Sequence, residues 1–387
     1  MKECEKQLLQ ILGCGLRGSS MLLPESLCWP DILRAADRHS VSGALGYTMQ
    51  RWFEQIPLDG QTKQALRSRM LWELTRSVNQ EQALEELKAE FEHSQIFLLP
   101  LKGAMLKRRY PRPEMRSMND LDLLVKPAQH HQVRSAMNRL GYGGFQPGRK
   151  HDHYTKPPCI IVEAHRILLA PESTYSWYFE DIWSRCRPAD GCRFVHEMTL
   201  EDEYVFCLLH MIEHLLHGGI GIRFFMDVYV YEQLPELNRS KLTAALDTLG
   251  IFQFYQHAVH LAQTWFDTSE PALDPVERQL IEELGAFVLD SGTYGSVKNR
   301  SAATGRHGRL RYLMKSCFPT LKSMQSMYPW LTHAPVLLPA AWLMRGITAL
   351  ISRRRNVQSV LHAAGNADQQ TARALTELYQ KIGLHSS

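Results

Sequence analysis

The chain has 387 residues, 44% of them hydrophobic and 22% charged, with a formal net charge of +4. This is the makeup of an ordinary globular protein with room for two or three domains, and so small a charge excess is no argument for nucleic acid. Eight cysteines without a C-x-x-C pair exclude the usual zinc and dithiol redox spacings and read as reduced thiols.

In chain order, residues 1 to about 95 read as helical. Ser68 to Glu92 carries Leu71, Leu74, Val78, Ala83, Leu84, Leu87 and Phe91 near helical spacing. Met1-Lys2-Glu3-Cys4-Glu5-Lys6 lacks the apolar core of a signal peptide, so the expected location is the cytoplasm. Ile96 to Leu101 predicts a buried strand, and Lys102-Gly103-Ala104 opens a short helix that stops before Pro111 and Pro113. Leu121 to Val125 is a second strand, followed by a helix from Ala128 to Leu140 that Gly141 ends. Tyr142 to Phe145, Asp152 to Thr155 and Cys159 to Leu168 predict three more strands. From Thr199 onward the pattern is helical. Thr199-Leu200-Glu201-Asp202 resembles a capping box, and its helix runs to His217. Further helices are expected over 223–234, 239–267 and 275–290. The basic stretch 292–308, with Lys298, Arg300 and Arg306, reads as a solvated loop.

Pro335 to Ser352 is the most apolar late segment. Pro339, Arg345 and the following Arg353-Arg354-Arg355 argue against a spanning helix. A buried helix with a basic end is the expected form, and contact of 335–355 with a membrane surface is the alternative. The fold class is therefore α+β. A small mixed-sheet core at 71–195 stands between a helical N-terminal segment at 1–70 and a large helical region at 196–387.

Chemistry concentrates in that core. Alternation along Asp120-Leu121-Asp122-Leu123 puts the two aspartates on one face of a strand. Neighbouring carboxylates repel unless a cation lies between them, and oxygen ligands suit Mg²⁺. A plain alternative is an aspartate pair that caps a strand start. Glu163 shares its strand face with Ile161 and His165. If that strand lies beside the first, three carboxylates converge. Such a set can hold two Mg²⁺ about 4 Å apart, the arrangement for in-line phosphoryl or nucleotidyl transfer. Lys102-Gly103-Ala104 adds a strand–glycine–helix junction whose backbone can approach a phosphate.

These residues resemble the polymerase-beta-like nucleotidyltransferase superfamily. Within it, three segments are similar to the bacterial family of uncharacterised nucleotidyltransferases: Leu99-Pro100-Leu101-Lys102-Gly103-Ala104, Arg116 to Val125, and Val162-Glu163-Ala164-His165. His210, His214, Arg223 and Asp227 match that family's downstream H-x-x-x-H and R-x-x-x-D positions. The resemblance implies a nucleotidyltransferase that uses two Mg²⁺, with Mn²⁺ as the substitute ion. Its partners would be an NTP and an acceptor that is a small molecule, an RNA end or a protein. Asp120 and Asp122 would bridge both ions, and Glu163 would complete the ion that activates the acceptor hydroxyl. Gly103 and Ala104 would cradle the triphosphate, and Lys102 and Arg116 would offset charge as pyrophosphate leaves. His165, His210, His214, Arg223 and Asp227 would line the cleft. Ala104 stands where the wider superfamily usually carries serine or glycine, so no hydroxyl is offered there.

Two other readings compete. His210-Met211-Ile212-Glu213-His214 matches the H-x-x-E-H pattern of some zinc peptidases, with His217 on the same face and Asp227 or Glu232 as third ligand. The other is a catalytically inactive nucleotide-binding or interaction protein. Arg223 and Asp227 at i, i+4 could also be a plain helix ion pair.

Overall fold

The computed structural model describes residues 1–19, 27–50, 53, 58–148, 150–158, 160–293, 295, 318, 321, 324, 328–332, 334–352 and 369–384. The molecule is α+β. Among the described residues, the first 95 hold four helices: α1 (Glu3–Arg17), α2 (Trp29–Arg38), α3 (Ser42–Gln50) and the long α4 (Gly60–His93). Asp59 starts α4 by accepting the Thr62 backbone N–H, which satisfies one of the free donors of the first turn. Then come β1 (Leu98–Pro100), α5 (Gly103–Leu106), β2 (Leu121–Val125), α6 (His130–Arg139), β3 (Gly143–Gln146), β4 (His151–Lys156) and β5 (Ile160–His165). A short helix, α7 (Ile182–Arg185), and a two-stranded ribbon, β6 (Arg187–Pro188) with β7 (His196–Glu197), lead into the helical part.

The sheet order is β1-β2-β5-β4-β3, mixed rather than purely parallel. β2 and β5 run parallel at its centre, and β1, β4 and β3 pair antiparallel to their neighbours. The alternation along β2 divides its two faces. Leu121, Leu123 and Val125 join Val162 and Ala164 in a core beneath α4 (Ala83, Leu84, Leu87, Phe91) and α6 (Val133, Ala136, Met137). Each such leucine, fully withdrawn from water, contributes about 2 kcal/mol. The other face, with Asp122, Glu163 and His165, turns toward the helical part.

That part comprises α8 (Leu200–Leu216), α9 (Ile222–Glu232), α10 (Arg239–Leu249), α11 (Phe252–Phe266), α12 (Pro275–Ser291), α13 (Leu338–Ser352) and α14 (Gln369–Lys381). Thr199 caps α8 by accepting the Asp202 backbone N–H, as its sequence predicts. The single helix expected over 239–267 is instead two. Gly250 takes a left-handed conformation (φ 66°) and closes α10, with its N–H on the carbonyls of Leu246 and Asp247. β5 stops at His165, short of the expected Leu168, and β1 is shorter than the apolar run that predicts it. Residues of α1, α8, α9, α11, α12 and α14 share one apolar core.

Among the described residues no helix is long and apolar enough to cross a membrane. Pro335 to Ser352 forms a 3₁₀ turn and α13, with Val336, Leu337, Leu343 and Met344 exposed. Arg353 to Arg355 lie outside the described residues, as does most of the expected 292–308 loop, including Lys298, Arg300 and Arg306.

Candidate active site

The register of the central strand pair sets the site. Asp122 of β2 stands opposite Glu163 of β5, and Leu124 stands opposite His165. Partners in adjacent strands lie about 4.8 Å apart, so two carboxylates share one patch of the sheet. Asp120 sits just before β2. Burial first, then the charges of Asp122 and Glu163, push its carboxyl above the usual range. The part that comes from the two neighbouring carboxylates is charge repulsion, which a cation would relieve.

Asp122 behaves oppositely. Burial would raise its carboxyl, but the Lys102 charge and the His165 hydrogen bond outweigh that and hold it well below the usual range. Lys102 Nζ is 3.2 Å from Asp122 Oδ2. His165 Nε2 is 2.7 Å from Asp122 Oδ1 and 3.4 Å from Glu163 Oε2. Burial alone would lower the His165 imidazole, but these two carboxylates raise it. Glu163 is also lowered, since His165 and His151 outweigh its burial.

Lys102 reaches Asp122 from the β1–α5 junction. Its φ of 44° lies in the left-handed region, which a lysine rarely adopts. Such strain costs about 1–3 kcal/mol and concentrates at functional sites. Its Nζ also lies 5.6 Å from the centre of the Phe206 ring on α8. Lys102 is thus where the sheet face meets the helical part. Gly103 follows, and packing requires it to be glycine: a Cβ there would stand 2.3 Å from Arg116 Nη1 and 2.5 Å from Met118 Sδ.

Arg116 is buried rather than open to a ligand. Its Nε and Nη2 each donate to Asp227 of α9 at 2.8 Å, a two-pronged pair, and the Tyr110 hydroxyl donates to the same Asp227 at 2.6 Å. Asp227 therefore faces Arg116 and Tyr110. Arg223, its helix neighbour, sends Nη1 to the Ser117 carbonyl at 2.7 Å. Both contacts tie α9 to the segment that leads into Asp120. Beside that segment opens a cavity of about 210 Å³ lined by Arg69, Trp72, Arg76, Ser117, Asn119 and Arg223 among others.

His210 and His214 lie one turn apart on α8, with their Nε2 atoms 3.1 Å apart. Burial first and Lys102 second push His214 down to about 4 and hold His210 well below its usual value, so both are neutral at pH 7. One ring donates and the other accepts. The expected third ligands of a zinc peptidase are engaged elsewhere. Asp227 holds Arg116, and Glu232 accepts from the hydroxyls of Tyr204 and Tyr255 and pairs with Arg239. Glu213, the expected base, pairs with Lys150 at 3.0 Å. The exposed His217 rests on the Glu213 carbonyl. The zinc-peptidase reading is thereby corrected.

Sequence reasoning missed His151 and His153. The antiparallel register puts His151 opposite His165 and His153 opposite Glu163, on the same face. The signal was present as His151-Asp152-His153, since x-separated histidines on a strand share a face. Among the described residues, His151, Glu163 and His165 form a group whose ligand atoms all lie within 4.8 Å of one another. Carboxylate and imidazole donors fit a divalent cation, and Glu163 is the carboxylate of this group, with Asp122 joined to it through His165.

The family described as uncharacterised nucleotidyltransferase matches residues 25–267, more than half of the chain, and the protein belongs to that family. No curated protein and no solved structure matches the chain.

Proposed function

We propose that this member of the uncharacterised nucleotidyltransferase family transfers a nucleoside monophosphate from an NTP to an acceptor hydroxyl or phosphate, at the sheet face of Asp120, Asp122 and Glu163. One observation carries the reading: Asp122 and Glu163 stand in register on adjacent parallel strands, with Asp120 just before the first of them, its carboxyl raised by burial and then by their charges. Carboxylates gathered on one buried face call for positive charge, which Lys102 and His165 supply in part and a cation would complete.

Asp120 and Asp122 would hold two divalent cations, Mg²⁺ on the triphosphate side, and Glu163 would complete the ion on the acceptor side. Bound there, divalent cations neutralise charge on the triphosphate and lower the pKa of the attacking hydroxyl. The chain's own residues do the rest. Lys102, now paired with Asp122, is within reach of a phosphate on the same face and would meet the negative charge of departing pyrophosphate. Backbone N–H groups at Gly103 and Ala104 would hold the triphosphate without a side-chain hydroxyl. Arg116 acts as a positioning residue: its pair with Asp227 fixes the segment that delivers Asp120. The neutral His210 and His214 line the cleft above Lys102 and Asp122, whose charges both act on His210. The neighbouring cavity offers the acceptor the Trp72 indole and the Arg69–Asp37 and Arg76–Glu73 ion pairs.

The test is incubation with α-labelled NTPs and candidate acceptors, a small-molecule pool, RNA and protein, each with Mg²⁺. Wild type should release pyrophosphate and label one acceptor class. Asp120→Ala/Asp122→Ala should lose at least about a hundredfold in rate. Equal pyrophosphate release by both proteins refutes the reading.

A further inference from the structure

We propose that His151, Glu163 and His165 make the Glu163 end of the site a mixed nitrogen–oxygen centre, which takes a first-row transition ion such as Zn²⁺ in preference to Mg²⁺. What the ion is used for rests on the nucleotidyl-transfer reading; which ion binds rests on these three side chains.

The geometry comes from strand pairing. In the antiparallel β4–β5 pair His151 stands opposite His165, and their rings lie 4.6 Å apart. Glu163 is two residues from His165 and so shares its face. Its Oε2 is 3.4 Å from the Nε2 of each histidine. A four-coordinate ion with bonds of about 2.1 Å separates its ligands by about 3.4 Å. The carboxylate thus already stands at ligand-to-ligand distance from both imidazoles. At 3.4 Å these contacts are too long to be good hydrogen bonds. Asp122 Oδ1 hydrogen-bonds His165 Nε2 at 2.7 Å, a contact that the ion would replace.

Donor chemistry then selects the ion. Mg²⁺ takes oxygen ligands in a tight octahedron and keeps its waters. Imidazole nitrogen favours Zn²⁺, Co²⁺ and their neighbours, with affinity rising along the first row from Mn²⁺ toward Cu²⁺.

The experiment uses the full chain, stripped with chelator and without nucleotide. Co²⁺ serves as the spectroscopic probe, Zn²⁺ as the ion counted after dialysis, and Mg²⁺ as competitor. The expected result is one equivalent of Co²⁺ with a visible d–d band that a large Mg²⁺ excess does not remove. His151→Ala and His165→Ala should each weaken binding at least about tenfold, and His153→Ala, outside the three-residue group, should keep it. Displacement by Mg²⁺, or a band indifferent to His151→Ala, overturns the proposal. Should either variant fail to fold, nitrogen hyperfine coupling in the electron spin resonance of Cu²⁺-loaded wild type decides it: coupling from two imidazoles supports the centre, and its absence refutes it. Failure of the nucleotidyl-transfer reading is distinguishable, because the Co²⁺ band would persist while pyrophosphate release was missing.

Discussion

Arg116 and Asp227 form a two-pronged, buried ion pair that joins the segment before β2 to helix α9 across 111 positions of sequence. Two charges removed from water are tolerable only together, because the survivor of a broken pair stays buried and unpaired. Asp227→Ala therefore strands the Arg116 guanidinium and the Tyr110 hydroxyl. The expected cost is about 3–5 kcal/mol in urea unfolding. Replacing both partners with apolar residues should cost less than either single change.

Gly103 is expected to resist even a methyl group. A Cβ there meets Arg116 Nη1 and Met118 Sδ far inside contact distance. Gly103→Ala must displace the Arg116–Asp227 pair, at about 1–3 kcal/mol. Thermal unfolding checks it. An unchanged midpoint would mean that the junction can slide away from Arg116.

Lys102 competes with cations for Asp122. Its ammonium is 3.2 Å from Oδ2 and supplies part of the charge that holds this carboxyl low. Lys102→Met should therefore tighten divalent-ion binding in the absence of nucleotide and weaken NTP binding. Calorimetric titrations of ion and of NTP separate the two effects. Weaker ion binding in the variant would contradict the competition.

Glu203 of α8 gives a pH dependence remote from the carboxylate cluster. Burial pushes it up to about 7, partly opposed by Arg109, whose Nη2 is 3.5 Å away. A folded pKa above the ordinary 4.5 means that the native state holds the proton more tightly than the unfolded chain. This stabilisation is fully present below 4.5 and is lost as pH rises through about 7, by about 3 kcal/mol in total. Glu203→Gln removes the dependence. Wild type minus variant stability, followed by urea unfolding from pH 4 to 8, should fall across that window. A flat difference would contradict the assignment.

What the sequence reveals of this site depends on whether the information is local. The Asp120-x-Asp122 alternation, the Glu163-x-His165 face and the Thr199 cap are each contained in a few residues, and periodicity alone exposes them. Asp122 against Glu163 needs the parallel register of β2 and β5, for which the motif resemblance is the guide. His151 was hidden, because its neighbour His165 is reached only through the antiparallel β4–β5 register. The resemblance sets Arg116 against the leaving pyrophosphate and Asp227 in the cleft. Their mutual pairing joins two distant stretches, and no local spacing encodes it. The break at Gly250 was legible in principle, since glycine readily adopts the left-handed cap, but the apolar period on both sides concealed it.

The central claim is that nucleotide-bound divalent cations sit on the face of Asp120, Asp122 and Glu163. Crystals grown with Mn²⁺ and a non-hydrolysable NTP analogue test it most directly, by anomalous scattering at the manganese edge. The account predicts two manganese peaks about 4 Å apart, against these three carboxylates and the triphosphate. Manganese and nucleotide bound elsewhere, with this face empty, would contradict it.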